Sequence, residues 1–171
     1  MAGRMRWNGA VMNTSPERAP RVFRDWRHFL AFGLGSGLVP VAPGTAGTLA
    51  AVPFAWGLAA LSPAAYLFIV LAAFALGVHV CGRTSRDLGV HDHGGIVWDE
   101  FVGYWITMYM APPGPGWLIA GFALFRLFDV WKPWPIRIFD VHVPGGLGIM
   151  LDDVLAGLYA WVLLQALTAV L

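Results

Sequence analysis

Charged residues are scarce in this chain of 171 residues: Lys, Arg, Asp and Glu together make up 12% of it, against 58% hydrophobic residues. Because an average soluble domain is about 25% charged, this composition and the mean hydropathy of +0.64 predict a membrane protein. The formal net charge is only +1, and the basic residues form no continuous stripe, which argues against a nucleic-acid partner. The single cysteine, Cys81, excludes an intramolecular disulfide.

Three long stretches lack Lys, Arg, Asp and Glu altogether: those between residues 28 and 82, between 101 and 125, and from 154 to 171. The charges therefore fall into three charged segments, residues 1–27, 83–100 and 126–153. Turn residues at 62–63 and 112–116 break the first two apolar stretches. The pattern predicts an all-α fold, a small polytopic membrane bundle of four to five apolar helices near residues 46–61, 64–81, 98–111, 116–130 and 152–171.

Strict alternation of these helices places all three charged segments, and with them all eleven Lys and Arg residues, on one face of the bilayer. By the positive-inside rule that face is cytoplasmic. The apolar runs at 48–61 and 101–111 are shorter than the ~20 residues that cross a bilayer, so they must extend, thin the bilayer, or form a half-buried hairpin. The alternative is a soluble helical bundle with an apolar surface.

The chain divides by composition into two predicted parts. Residues 1–27 carry six Arg, with no apolar run and cleavage site directly behind them, so they are not typical of a signal peptide. We interpret them as a basic cytoplasmic arm lying on anionic headgroups. Residues 28–171 form a single membrane domain in this interpretation.

A Gly/Pro-rich segment at 32–48 leads into the first apolar helix. It is not a P-loop, because no Lys follows the glycines, and its glycine spacing does not match a dinucleotide fingerprint. Two interpretations stay open. The helix N-terminus can bind an anion, with Thr45 and Thr48 contacting phosphate oxygens, or the segment is a simple loop with a Thr cap.

The second charged segment mixes histidines and carboxylates. Asp99 and Glu100 precede the third apolar run and are either first-turn residues that favour the helix dipole or metal ligands. The His-Asp-His triplet at 91–93 resembles a transition-metal cluster, but adjacent residues of an extended loop point to opposite sides. His79 and Cys81 are expected to end the second helix with structural roles, Cys81 as a small buried hydrophobic residue.

The third charged segment concentrates carboxylates and cations between two apolar runs. Arg126 and Asp129 are spaced i, i+3 and can pair on one helix face, and Lys132 follows where the helix must stop before a proline. An interfacial salt bridge within an aromatic belt is one interpretation. Asp152 and Asp153, however, are expected to open the last helix, so that acids from three helix ends converge. Such oxygen-only ligands suit Mg²⁺.

Several of these motifs together are similar to one known family. They are the Gly-Leu-Gly-Ser-Gly run at 33–37 with Pro-Gly-Thr at 43–45, His-Asp-His-Gly at 91–94 with Trp-Asp-Glu at 98–100, the segment 126–136, and Gly-Ile-Met-Leu-Asp-Asp at 148–153. In order and spacing they resemble phosphatidylglycerophosphatase A, from about Phe29 to Ala160. The resemblance implies a Mg²⁺-dependent phosphatase of the bacterial cytoplasmic membrane that removes the terminal phosphate of phosphatidylglycerophosphate, with its active site facing the cytoplasm.

Candidate roles follow from this resemblance and from the chemistry of phosphate hydrolysis. We expect metal-binding or water-orienting roles for Glu100, Asp129, Asp152 and Asp153, with Asp99 in reserve. Arg126 and Lys132 are expected to hold phosphate oxygens, helped by Thr45 and Thr48. Direct attack by water is the preferred mechanism, and a phospho-aspartate intermediate stays open. The membrane lipid is the expected partner, and the sequence identifies no protein partner.

Other functions fit less well. The Asp-Gly and Ala-Arg pattern of phosphatidyltransferases is absent, and a lipid phosphatase of the Lys-x6-Arg-Pro type would need Arg where Phe139 stands. The non-enzymatic alternative is a small membrane carrier or scaffold subunit with an ion site. It predicts acids in the middle of the helices, whereas these acids are expected at helix ends on one face.

Overall fold

The computed structural model describes residues 6–7, 10–11, 20–90, 93–134, 136 and 143–170. Two strands of two residues each, β1 (Arg6–Trp7) and β2 (Ala10–Val11), pair antiparallel near the N-terminus. A short helix, α1 (Trp26–Ala31), and a 3-10 helix (Gly33–Leu38) follow. The described residues then form five longer helices: α2 (Pro43–Leu58), α3 (Pro63–Leu88), α4 (Trp98–Met108), α5 (Pro115–Trp131) and α6 (Gly145–Val170). The all-α class is confirmed. Most of the predicted basic arm lies outside the described residues, so the division at residue 27 stays a prediction.

Local sequence explains most helix boundaries. Pro43, Pro63 and Pro115 begin their helices, as expected for a residue with a helical φ and no N–H to leave unpaired. The Ser62 side chain caps α3 by accepting a hydrogen bond of 3.3 Å from the Ala65 amide. The breaks predicted at residues 62–63 and 112–116 are therefore confirmed.

The predicted end of the second apolar helix was wrong. Helix α3 continues past His79 and Cys81 to Leu88 and ends at Gly89, which has a φ of +76°. The sequence becomes polar after Cys81, but the helix does not end there. Arg83 and Asp87 form an i, i+4 ion pair of 3.1 Å along its last two turns. His79 is exposed and Cys81 is buried, and the buried position agrees with the role expected of the cysteine.

The predicted start of the last helix was also wrong. Asp152 and Asp153 do not open α6, which begins at Gly145 and places them in its third turn. A Cβ atom at Gly146 would collide with the Val78 carbonyl oxygen, and one at Gly82 would lie 2.9 Å from the Gly146 nitrogen. Close packing of these two backbones on α3 and α6 stabilises a helix where the glycine-rich sequence indicates a loop.

Helix α4 lies at the centre of the bundle and packs against α2, α3, α5 and α6. Three of its aromatic side chains donate hydrogen bonds to backbone carbonyl oxygens of neighbouring helices. The Trp98 indole donates to Ala73 O at 3.0 Å, the Trp105 indole donates to Ala51 O at 3.2 Å, and the Tyr104 hydroxyl donates to Leu118 O at 3.0 Å. Each bond satisfies a polar atom inside an apolar core.

The crossing of α4 and α6 depends on two glycines. A Cβ atom at Gly157 would collide with the Gly103 carbonyl oxygen, and one at Gly103 would lie 2.7 Å from the Asp153 carbonyl oxygen. The Thr107 hydroxyl, which donates to Gly103 O at 3.0 Å, also lies 3.4 Å from Gly157 O. Small residues at a helix crossing let two backbones approach, as in membrane bundles.

Two of the described helices, α3 and α6, are long and apolar enough to cross a bilayer. Each has 26 residues, or about 39 Å of helix. Helix α4 has 11 residues, about 16 Å, which is less than the ~30 Å hydrocarbon core. A full crossing by each of the five predicted segments therefore stays a prediction.

We expect Gly157→Ala to lower the free energy of unfolding by about 1–3 kcal/mol, because the added methyl group meets the backbone of α4. Thermal unfolding of the purified protein in detergent measures the effect. The matched control is Gly57→Ala in α2, where a Cβ atom meets nothing within 4 Å. Equal stability of Gly157→Ala and the control would contradict the close crossing.

Candidate active site

The polar end of the bundle is formed by the beginnings of α2 and α4, the end of α5 and the third turn of α6. The chain reverses direction at each short connection, so helix ends far apart in sequence meet there. Ion pairs join α4 to α5 and the end of α5 to α6. The structure brings together eight of the nine predicted site residues, Thr48, Asp99, Glu100, Arg126, Asp129, Lys132, Asp152 and Asp153, here called the acid cluster.

Arg126 links three helices of the acid cluster through one guanidinium nitrogen. Its Nη1 lies 2.6 Å from Asp129 Oδ2, 3.3 Å from Glu100 Oε1 and 3.5 Å from Thr48 Oγ1. The predicted i, i+3 pair of Arg126 with Asp129 is confirmed. Since these side chains are largely buried, the pairing stabilises carboxylates that would otherwise be costly in an apolar bundle.

Lys132 connects the end of α5 to α6. It adopts the left-handed conformation, with a φ of +44°, and ends the helix directly before Pro133. Its ammonium nitrogen lies 2.6 Å from Asp152 Oδ2, while Asp152 Oδ1 accepts a hydrogen bond of 3.0 Å from the Asp153 amide. A lysine in this conformation is uncommon. Here it lets the backbone turn away from α5 while the ammonium group contacts Asp152.

Glu100 lies against two glycines of α2. A Cβ atom at Gly44 would collide with Glu100 Oε1, and a Cβ atom at Gly47 would lie 2.6 Å from Glu100 Oε2. Glycine is therefore needed at both positions for the carboxylate to reach the start of α2. Thr48, one residue further on, is fully buried, and its hydroxyl donates to Gly44 O at 3.0 Å.

Asp153 is the most deeply placed acid, and its charge interacts unfavourably with the other four carboxylates: Asp129, Asp99, Asp152 and Glu100. With all five acids ionised, Arg126 and Lys132 would provide two positive charges against five negative ones. Mutual repulsion and burial both disfavour a cluster of ionised acids with too few cations. The composition of the acid cluster therefore favours binding of an additional cation.

Two buried carboxylate oxygens also favour a cation or ordered water. Within the described residues, Glu100 Oε2 and Asp153 Oδ2 make no hydrogen bond, and such unpaired buried atoms are uncommon in folded proteins. All the acidic donors are oxygens, which suit a hard divalent ion. Mg²⁺ commonly takes only one or two protein carboxylates and keeps water ligands, a requirement that the unpaired oxygens of Glu100 and Asp153 can meet.

Two predicted residues lie at the margin of the acid cluster. Asp99 is half-buried in the first turn of α4, where its Oδ1 accepts a hydrogen bond of 3.1 Å from the Glu100 amide. Thr45 is exposed in the first turn of α2, and the contacts among described residues do not connect it to the acids. Of the two threonines, Thr48 faces the site.

A second polar group was not predicted from the sequence. Ligand atoms of Asp25, His28 and Asp87 all lie within 4.8 Å of one another, so the three side chains could hold a metal ion. The two ends of the group, Asp25 and Asp87, are far apart in sequence, and neither belongs to a spaced motif. Only the packing of α1 against α3 brings them together.

The hydrogen bonds of buried His28 favour a polar network over metal ligation. The Arg21 amide donates to His28 Nδ1 at 3.2 Å, so in neutral imidazole the proton sits on Nε2. Nε2 lies 3.5 Å from Asp87 Oδ2, which also pairs with Arg83. A metal ion would have to displace one of these contacts.

Of the His-Asp-His triplet, His91 and Asp92 lie outside the described residues, as do residues 137–142. His93 supports the loop before α4: its Nδ1 accepts a hydrogen bond of 3.0 Å from the Gly95 amide, and its ring packs on Phe32. These contacts give His93 a structural role in the loop.

Comparison with known proteins identifies close relatives. The family model described as phosphatidylglycerophosphatase A matches residues 29–168. A phosphatidylglycerophosphatase A from Escherichia coli (strain K12) is 53% identical over 131 residues, covering 76% of each chain. The protein of the same name from Haemophilus influenzae is 48% identical over 142 residues, covering 82% of this chain and 87% of the relative.

A third relative carries a different name. A protein from Bacteroides thetaiotaomicron, provisionally named a phosphatidylinositol-3-phosphatase, is 40% identical over 148 residues, covering 77% of this chain and 87% of the relative. No solved structure matches the chain. Because the family model spans most of the sequence and two relatives of that name cover more than two thirds of it, the chain belongs to the phosphatidylglycerophosphatase A family.

Proposed function

We propose that this protein hydrolyses the terminal phosphate monoester of phosphatidylglycerophosphate, giving phosphatidylglycerol and inorganic phosphate. Family membership supports the substrate and the reaction class. The observation that carries the proposal is the acid cluster itself, in which five carboxylates share one end of the bundle with Arg126 and Lys132. Hydrolysis of a phosphate dianion needs both positive charge and a positioned water molecule.

We assign the implied Mg²⁺ to the acid cluster: Glu100 and Asp153 would bind it directly, and Asp129, Asp152 and Asp99 would act on it directly or through its water ligands. The unpaired oxygens of Glu100 and Asp153 support this assignment. When bound, Mg²⁺ would neutralise phosphate charge and lower the pKa of a coordinated water molecule. The group of Asp25, His28 and Asp87 is a less suitable site, because both imidazole nitrogens already have partners.

The side chains of the acid cluster have complementary roles in this proposal. The guanidinium of Arg126 and the ammonium of Lys132, now paired with carboxylates, would turn part of their donors to the phosphate oxygens. A carboxylate that does not bind the metal ion would orient water for in-line attack. Thr48, which already contacts Arg126, would position the guanidinium, while exposed Thr45 could reach substrate only from the rim.

We further propose that the bundle is a multi-pass protein of the cytoplasmic membrane. Large apolar side chains are exposed along the outer helices, for example Phe54, Phe68, Ile119 and Val162, which suits a lipid environment. The acids, by contrast, are buried at one end. With that end at the cytoplasmic headgroup layer, the diacyl tail would stay in lipid while the terminal phosphate enters the acid cluster.

The carrier or scaffold alternative fits this arrangement less well, because an ion path would place acids at mid-helix rather than at one end. Phosphate release distinguishes the two functions. The purified protein is expected to release phosphate from phosphatidylglycerophosphate, and phosphatidylinositol 3-phosphate serves as the competing substrate suggested by the third relative. No release from either lipid would favour the non-enzymatic function.

Removal of divalent cations is expected to abolish phosphate release, because the acid cluster then lacks the charge needed to admit a dianion. Turnover is measured in EDTA and again after addition of excess Mg²⁺, which should restore it. Full activity in EDTA, after dialysis against chelator, would contradict a metal-dependent mechanism while leaving the lipid substrate open.

We expect Asp129→Asn and Asp152→Asn each to lower kcat by at least about a hundredfold, since each removes a charge from the reacting centre. Membrane insertion should stay normal, because Asn keeps the size of the side chain. The control is Asp25→Asn, an acid outside the cluster whose role as a helix cap Asn can fill. Near-normal turnover in either cluster variant would remove that residue from the site.

Gly47→Ala is expected to lower kcat at least about tenfold, because a displacement of Glu100 of even 1 Å misplaces the reacting groups. The added Cβ would lie 2.6 Å from Glu100 Oε2 and 2.6 Å from Val97 Cβ. Gly57→Ala on the same helix is the matched control. Phosphate release and thermal unfolding are measured together, so that lost activity with unchanged melting identifies the active-site effect.

A further inference from the structure

A cavity opens where the segment before α1 packs on the end of α3. Its volume is about 820 Å³, and its lining includes the arginines 21, 24 and 83 and the apolar residues Val22, Phe23 and Leu38. Pockets of this size accommodate small organic ligands and are larger than an inorganic ion needs. None of these residues belongs to the acid cluster.

The carboxylates of this cavity are already paired. Asp25 caps α1 by accepting a hydrogen bond of 2.9 Å from the Arg27 amide, and Asp87 lies between Arg83 and His28. In the part of the chain that the structure describes, Arg21 and Arg24 have no ion-pair partner, and both are exposed. The charge left available in the cavity is therefore positive.

The apolar side of the cavity is exposed as well. Phe23 is 80% exposed and Leu38 is 42% exposed, although both lie outside the five long helices. Next to Phe23, Trp26 is 54% exposed. Arginines beside exposed aromatic residues are typical of protein surfaces that contact the boundary between headgroups and acyl chains.

We propose that this cavity, the arginine pocket, binds the phosphate of an anionic phospholipid, with the upper part of the lipid against Phe23 and Leu38. Arginine is well suited to phosphate because its planar donors can bind two oxygens. A phospholipid satisfies both sides of the pocket, whereas free phosphate satisfies only the cationic side. A metal ion is disfavoured by three arginines and by the engaged nitrogens of His28.

The test is lipid binding to the full-length protein in detergent, measured by native mass spectrometry. The probe is dioleoylphosphatidylserine, which is anionic and is neither the proposed substrate nor its product. Dioleoylphosphatidylcholine, with no net charge, is the reference lipid. A third series adds inorganic phosphate as a competitor, and Arg21→Gln and Arg24→Gln are compared with Arg86→Gln, an exposed arginine of α3 outside the pocket lining.

We expect the wild-type protein to bind phosphatidylserine at least about tenfold more tightly than phosphatidylcholine. Each of Arg21→Gln and Arg24→Gln should weaken that binding by about fivefold, the effect of roughly one basic residue near a lipid surface. Arg24→Lys should retain most of the preference, and Arg86→Gln should retain it fully.

Three results would overturn the proposal. The first is equal affinity for phosphatidylserine and phosphatidylcholine. The second is an equal loss of phosphatidylserine affinity in Arg24→Gln and Arg86→Gln. The third is displacement of phosphatidylserine by low-millimolar phosphate, which would identify free phosphate as the ligand. Melting temperatures of all variants are measured in parallel. If Arg24→Gln loses structure, Arg21→Gln and Arg24→Lys decide the outcome.

Discussion

Repulsion among buried carboxylates is the constraint on which the polar end of this protein depends. Asp153 interacts unfavourably with four other acids, and only Arg126 and Lys132 compensate within the acid cluster. An apolar bundle gains no stability from such a group, because each buried charge loses its hydration. The arrangement is understandable if the charge serves a ligand that neutralises it, which supports the proposed cation and phosphate chemistry.

Most helices and one ion pair of the site could be predicted because their causes are local. Apolar run length and turn residues place α2 to α5, and the i, i+3 spacing of Arg126 and Asp129 predicts their ion pair. The start of α6 at Gly145 could not be predicted in this way. Its glycines indicate a loop when considered alone, and only contact with α3 shows that they permit close helix packing.

Two features of the sites depend on residues distant in sequence. Gly44 and Gly47 look like part of a flexible loop until Glu100 of α4 is placed against them. Likewise, Asp87 gains its partner His28 only when α1 packs on α3. Sequence patterns within one segment carry no information on such pairs, whereas the order of the charged segments does predict that acids from separate helices lie at the same end of the bundle.

The acid cluster has an excess of negative charge, whereas the arginine pocket has an excess of positive charge. The two regions should therefore differ in whether a bound cation is needed before an anion can bind. In the proposed function the acid cluster would repel a phosphate dianion until a cation is bound, so substrate and metal affinity should be coupled there. The arginine pocket needs no such cation, because its acids are paired internally and its arginines attract an anionic lipid directly. Lipid binding at the arginine pocket should therefore survive chelation that stops hydrolysis.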